Sequence, residues 1–296
     1  MAAPLPLDRK AIVYVTFLCA LWALQQVAVK IASPDIPALT QAAIRSTIAS
    51  AILLVYALRT TPDFFARDGT LWPGLAAGLL FSLEFVGLFQ ALKLTGAGRV
   101  TLFLYSAPFF VALGLAFLLP NERLSRLQWI GLTLSFLGVA LALGAFSGGS
   151  QGALAGDLLA LAAGALWGAT TLVVKTSALR TAPPIKTLLY QLAMSAPVLA
   201  LAAAWQGEQM TQAPGALALA SLAFQTFIVG CFSYLAWFGL LARYRAGEVS
   251  VFTFAAPVFG MVAGWAILSE PLSPGFAAAV ALVAAGIALV NRPRRA

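Results

Sequence analysis

Ten predominantly apolar blocks, most of them about twenty residues long, follow one another along the 296 residues with short polar breaks between them. Wound as an α-helix at 1.5 Å per residue, such a block crosses about 30 Å of hydrocarbon. Lipid offers no water to pair a backbone N–H or C=O, so a lone segment can cross only as a helix. Composition agrees: 61% of the residues are hydrophobic and 9% charged, where a soluble domain carries about a quarter charged. Read between charges, prolines and glycines, the blocks predict spans near 11–32, 36–58, 71–93, 98–119, 125–146, 156–178, 184–205, 217–241, 248–268 and 273–291. Pro37, Pro184 and Pro274 stand where a first helical turn tolerates a missing N–H. The expected fold class is all-α integral membrane with ten transmembrane helices, and the bilayer is the expected surrounding partner.

The charges that remain are unevenly placed. With the amino terminus in the cytoplasm, 14 of the 18 Lys and Arg fall on the cytoplasmic side, three on the other, and Arg45 within a span. That bias predicts both termini inside, in the plasma (inner) membrane. It also accounts for the net charge of +8, so no nucleic-acid partner is expected. The first block is too long for a signal-peptide core and is read as retained.

Several chemistries are not expected. The chain has no histidine, the commonest general base and metal ligand. Cys19 and Cys231 lie 212 positions apart inside apolar blocks, with no metal-ligand spacing around them. Gly148-Gly149-Ser150-Gln151-Gly152 matches the pattern of a nucleophile elbow, but an elbow needs a flanking strand and a triad base. A phosphate-binding loop of the G-x-x-x-x-G-K-[ST] type is absent from the sequence. An enzyme, a metal and a cofactor are therefore not expected, and any transport runs on gradients.

The two halves resemble each other. Ala20-Leu21-Trp22 with Lys30 returns as Ala165-Leu166-Trp167 with Lys175, offset by 145. Ala97, Gly98, Val100, Phe103, Ala107, Pro108 and Phe110 return at an offset of 149 as Ala246, Gly247, Val249, Phe252, Ala256, Pro257 and Phe259. Glu122 and Leu124-Ser125 return at 148 as Glu270 and Leu272-Ser273. The predicted organisation is a first five-helix repeat over 1–146, a Gly/Ser-rich linker over 147–155 and a second repeat over 156–296. Five is odd, so the second copy enters from the opposite side. Inverted repeats of this kind serve alternating access to one central site.

The Ala-Leu-Trp start followed by Lys30, Ala107-Pro108-Phe109-Phe110, and Asn121-Glu122-Arg123-Leu124-Ser125 running into Gly131 and Gly138 resemble the drug/metabolite transporter superfamily. The likeness is to its ten-helix EamA-type members, and most to bacterial amino-acid exporters of the YddG kind. The resemblance implies a basket-like bundle with a central cavity that exports amino acids, aromatic ones included, and related small metabolites.

Polar and aromatic residues at mid-depth are the candidate substrate cavity: Trp22, Gln25, Tyr105, Trp167, Thr171, Gln191, Gln225, Tyr234 and Phe254. Each can instead be a packing residue. Arg45 and Glu84 sit nine residues from the outer ends of their predicted spans, about 13.5 Å deep. They form either a buried ion pair or a site for substrate or proton handling, so proton coupling stays open. Pro108 and Pro257 are expected to kink spans four and nine, because each lacks an N–H and crowds the carbonyl four residues back. Lys30 and Lys175 are expected to snorkel, and Glu122 and Glu270 to face helix amino termini. Gly74/Gly78, Gly164/Gly168 and Gly260/Gly264 are read as close packing within a monomer, a dimer face being the other reading. Rival functions are efflux of cationic drugs or amphiphiles, a membrane-embedded enzyme, and a lipid flippase.

Overall fold

The computed structural model describes residues 5–61, 64–94, 97–119, 122–142, 153–269 and 275–291. These residues form helices and no named strand, with one isolated bridge between Leu5 and Tyr244. Eight helical segments of 19 to 28 residues are long and apolar enough to cross a membrane, and two shorter apolar helices join them. Span one is Arg9–Ala32, span two Ala38–Thr60, span three Leu71–Leu94, span five Arg126–Ala142, span six Ala153–Thr176, span seven Pro184–Trp205 and span ten Phe276–Val290. The expected linker run 147–152, and Glu270 with Pro274, lie outside the described residues.

Three spans are composite. Span four is Ala97–Leu104 and Ala107–Leu118, parted at Tyr105 and Ser106. Span nine is Ala246–Val251, a 3-10 turn over Phe252–Phe254 and then Ala255–Leu268. Both interruptions lie just before the prolines. Pro108 cannot donate to the Leu104 carbonyl, nor Pro257 to that of Thr253, so the preceding turn tightens or breaks. Span eight is Ala216–Ala223, a π-helical stretch over Phe224–Ser233 and Tyr234–Arg243. Nothing in its sequence marks that stretch.

Loop contacts fix which connections share a face. At the amino-terminal face, Leu5 N–H donates to the Arg243 carbonyl (3.0 Å) and Arg245 N–H donates back to Leu5 (3.1 Å). There too Asp8 caps span one, accepting from the Ala11 amide at 2.7 Å, a bond that holds its carboxyl below the usual value. At the opposite face, Asp35 accepts from Gln212 and from the Gly215 amide, both at 2.8 Å, and Glu208 accepts from the Thr40 amide at 2.8 Å. Successive spans therefore alternate in direction.

The main pairings between spans recur when each span is exchanged for the one five places away. Span three packs on six as eight packs on one, three on seven as eight on two, and one on nine as six on four. Spans two and seven, and spans five and ten, pair with their own equivalents. There the symmetry shows in single atoms. Ser195 Oγ donates to Ser46 Oγ at 2.9 Å, 149 positions away, and Ser135 Oγ donates to the Val283 carbonyl at 3.4 Å, 148 away. Those separations are the repeat offsets. Glycine makes the closest of these approaches: a Cβ on Gly131 would stand 2.6 Å from the Gly286 carbonyl. Gly74 and Gly78 admit Tyr190 and Met194 of span seven, while Gly164 and Gly168 admit the backbone and side chains of span four. These two glycine pairs serve internal packing; a Cβ on Gly260 would meet nothing. Lipid-facing residues complete the design, with Trp72, Trp205 and Trp265 exposed near span ends, where amphipathic rings favour the interface.

Candidate functional site

Four spans contribute one helical face each to a central cavity. The faces are Trp22, Gln25 and Gln26 of span one; Phe81, Glu84 and Phe85 of span three; Trp167, Thr170 and Thr171 of span six; and Tyr234, Trp237 and Phe238 of span eight. Each set has the spacing i, i+3, i+4, which places three side chains on one helix surface. Leu88, Leu104, Tyr105 and Gln191 complete the wall of a cavity of about 110 Å³. The sets from spans one and six are equivalent under the 145-residue offset. Tyr105 reaches the cavity from the break between the two halves of span four.

Eight of the sixteen lining residues are aromatic, and seven of them meet edge to face. Ring centroids lie 5.1 Å apart for Trp22 and Trp237, 6.4 Å for Trp22 and Tyr234, 6.0 Å for Phe81 and Tyr234, and 5.6 Å for Tyr105 and Trp167. Trp22 is further fixed by its indole N–H, which donates to Ser233 Oγ at 2.9 Å. Ser233 in turn donates to the Val229 carbonyl within the π-helical stretch. Such edge-to-face sets define a shaped apolar box.

The residues expected from sequence divide. Trp22, Gln25, Tyr105, Trp167, Thr171, Gln191 and Tyr234 line the cavity, as does Glu84. Gln225 and Phe254 lie elsewhere. Gln225 Nε2 donates to Gln41 Oε1 at 2.8 Å, while Gln41 Nε2 donates to the Ile36 carbonyl at 2.7 Å. A buried amide satisfied by another amide has no need of a cavity. Phe254, the repeat mate of Tyr105, is fully buried with its ring 6.4 Å from that of Phe136. Phe81, Phe85, Trp237, Phe238, Gln26 and Thr170 were missed. Gln26 and Thr170 were within reach, since the 145-residue offset pairs them with Thr171 and Gln25.

Arg45 and Glu84 do not close into an ion pair. Glu84 lies ten residues before Leu94 and Arg45 seven after Ala38, a depth difference of less than one helical turn. The Arg45 guanidinium instead lies 5.1 Å from the Phe85 ring centre and 5.9 Å from that of Tyr234, within cation–π range. Its Nε and Nη2, Glu84 Oε2 and Gln191 Nε2 are buried without hydrogen-bond partners.

A second buried charge site lies at the amino-terminal face. Lys175 Nζ stands 3.5 Å from Glu122 Oε1, with both side chains at most 3% exposed. It donates to the carbonyls of Leu241 (2.9 Å) and Tyr244 (3.1 Å), at the end of span eight. Glu122 Oε2 accepts from the Ala246 amide at 3.0 Å, at the start of span nine. Lys175 thus does not snorkel, because neighbouring helix ends offer it acceptors. Nearby, Lys186 Nζ donates to Asp68 Oδ2 at 2.7 Å and Thr70 Oγ1 donates to Asp68 Oδ1 at 2.6 Å. These bonds hold the Asp68 carboxyl down at about 2. Among the described residues no group of His, Cys, Asp and Glu is placed to hold a metal ion.

Helices that pair in this way around an apolar, ring-lined cavity define an all-helical integral membrane protein with a central cavity. Comparison with known proteins supplies the family. The chain matches the EamA-like transporter family twice, over residues 9–144 and 154–292, and belongs to it. It is 28% identical to the uncharacterized transporter YvbV of Bacillus subtilis over 99% of this chain and 94% of that protein. It is 32% identical to an uncharacterized protein of Pseudomonas aeruginosa over 80% of this chain and 78% of that one. A solved crystal structure superposes with a TM-score of 0.78 at 22% identity, covering 95% of this chain and 96% of the other. It supports the fold.

Proposed function

We propose that this membrane transporter is a secondary carrier that exports amino acids, aromatic ones among them, and related small metabolites by alternating access. The observation that carries the reading is the cavity wall. Spans one, three, six and eight each present an i, i+3, i+4 face, and the faces from spans one and six are repeat equivalents. In this reading residues 1–146 and 156–296 are inverted repeats joined by 147–155, and rocking of one against the other exposes the cavity to each side in turn. An apolar box with a few polar groups suits a small amphiphile. In this reading the protein is a monomer of the plasma membrane with both termini in the cytoplasm, an orientation that the bias of basic residues supports.

The test is counterflow in liposomes that contain only this protein. Vesicles loaded with unlabelled phenylalanine are expected to accumulate labelled phenylalanine transiently, and no accumulation would sink the carrier reading. A second reading, efflux of cationic amphiphiles, is favoured by one observation: the cavity wall carries a carboxylate, Glu84, and no Lys or Arg. A cation that moves while phenylalanine does not would select it.

A further inference from the structure

The unpartnered polar atoms in the cavity wall indicate which groups a solute must bring. Buried polar atoms in folded proteins are almost always hydrogen-bonded, so an orphan that faces a cavity is a vacancy for a partner from outside the chain. Glu84 is 7% exposed, lines the cavity and leaves Oε2 without a partner. In its ionised form the carboxylate accepts and does not donate, so the complement of that form is an N–H or O–H group, best a charged one, whose charge also favours the ionised form. Arg45, at nearly the same depth, does not take this role: its guanidinium lies against the Phe85 and Tyr234 rings, 5.1 and 5.9 Å from their centres, and makes no ion pair with Glu84. Phe81, Phe85 and Tyr234 line the same cavity, and the face of an aromatic ring attracts a cation and repels an anion. The other orphan in the wall, Gln191 Nε2, is a donor and complements an oxygen.

We propose that Glu84 is the specificity-determining carboxylate that takes the ammonium group of the transported solute, whose apolar body lies among Phe81, Phe85 and Tyr234. The proposal rests on the carrier reading and deepens it: the solute class is amines with an apolar, preferably aromatic, body, and amino acids fall in it through their ammonium group. An aromatic carboxylate with no amine falls outside it.

Three solutes of one shape separate the possibilities: phenylalanine, phenethylamine, which lacks the carboxylate, and hydrocinnamate, which lacks the amine. Labelled phenylalanine counterflow is measured in liposomes with each as competitor, for the unaltered protein and for Glu84→Gln. Quenching of tryptophan fluorescence by each solute in detergent reports binding directly, since Trp22, Trp167 and Trp237 line the cavity. In the unaltered protein hydrocinnamate should need about tenfold or more the concentration of phenethylamine, the ratio that one charge-assisted hydrogen bond provides. In Glu84→Gln the two should converge. Equal competition by both in the unaltered protein would overturn the proposal without any variant, as would a Glu84→Gln protein that keeps the preference. Quenching that prefers the amine, with no counterflow, would instead remove the carrier reading and leave the role of Glu84 standing. Failure of all three solutes to bind would end both.

Discussion

The molecule buries charge in two opposite ways. At the amino-terminal face, Lys175 and Glu122 meet at 3.5 Å, and between them they bond two carbonyls ending span eight and the amide opening span nine. At mid-depth, Arg45 and Glu84 lie near each other yet keep three polar atoms without partners. A buried charge stripped of its partner costs several kcal/mol, so the first arrangement stabilises helix ends that would otherwise be orphaned. The second is costly as it stands and persists next to a cavity. The contrast separates charge that builds the bundle from charge that waits for a solute.

The largest test of this contrast removes one partner from each site and reads stability. Lys175→Met leaves Glu122 buried and unpaired, and should cost about 3–5 kcal/mol, measured by unfolding in detergent. Replacing both residues, with Lys175→Met and Glu122→Leu together, should regain about half of that loss, because an apolar pair carries no unpaired charge. Glu84→Gln in the same assay should not destabilise the protein, because it removes a buried charge that has no partner. A Lys175→Met protein as stable as the parent, or a Glu84→Gln protein that unfolds, would erase the distinction.

The same contrast explains what was readable in the sequence. Spans were, because crossing lipid demands a long apolar block and little else in the chain resembles one. Trp22 with Gln25 and Trp167 with Thr171 were readable because polar or amphipathic groups recur at helical spacing in two repeats. Phe81 and Phe85 were not, since apolar side chains recur on every side of span three and little marks one phenylalanine as facing a cavity. Gln225 misled because depth says that an amide needs a partner but not that Gln41 supplies it. Phe254 misled because repeat equivalence carries backbone position, whereas Phe136 decides what fills the space beside it. Lys175 was placed at a span end, where a long stem usually reaches water. That the ends of spans eight and nine come to meet it is a tertiary fact.

Within the cavity, the two equivalent tryptophans sharpen the comparison further. Trp22→Ala and Trp167→Ala should each lower transport of phenylalanine relative to alanine about tenfold, as lost ring contact acts on bulky solutes first. Counterflow of the two labelled amino acids, at matched protein levels, checks it. Equal losses for both would assign the tryptophans to packing. Trp22→Phe keeps a ring but removes the bond to Ser233. It should cost about 1 kcal/mol of stability while leaving the size preference in place.

The smallest effect belongs to another ion pair, exposed on one side where Lys175–Glu122 is buried on both. Asp68 accepts from Lys186 and Thr70 outside the membrane-spanning helices, with its side chain 40% exposed. The Lys186 bond is the main reason that its carboxyl is held down from 3.8 to about 2. A depressed acid adds stability that is complete above its unfolded value and is lost as pH falls through its folded one. The contribution should therefore be whole above pH 4 and fade between about pH 4 and pH 2. Solvent screening reduces what such a shift would otherwise represent to about 1 kcal/mol. Asp68→Asn should accordingly cost about 1 kcal/mol at pH 7 and nothing further at pH 2, and the difference should shrink in high salt. Unfolding of both proteins in detergent at the two pH values decides the matter: a cost that persisted at low pH would mean that Asp68 acts through the Thr70 turn and not through its charge.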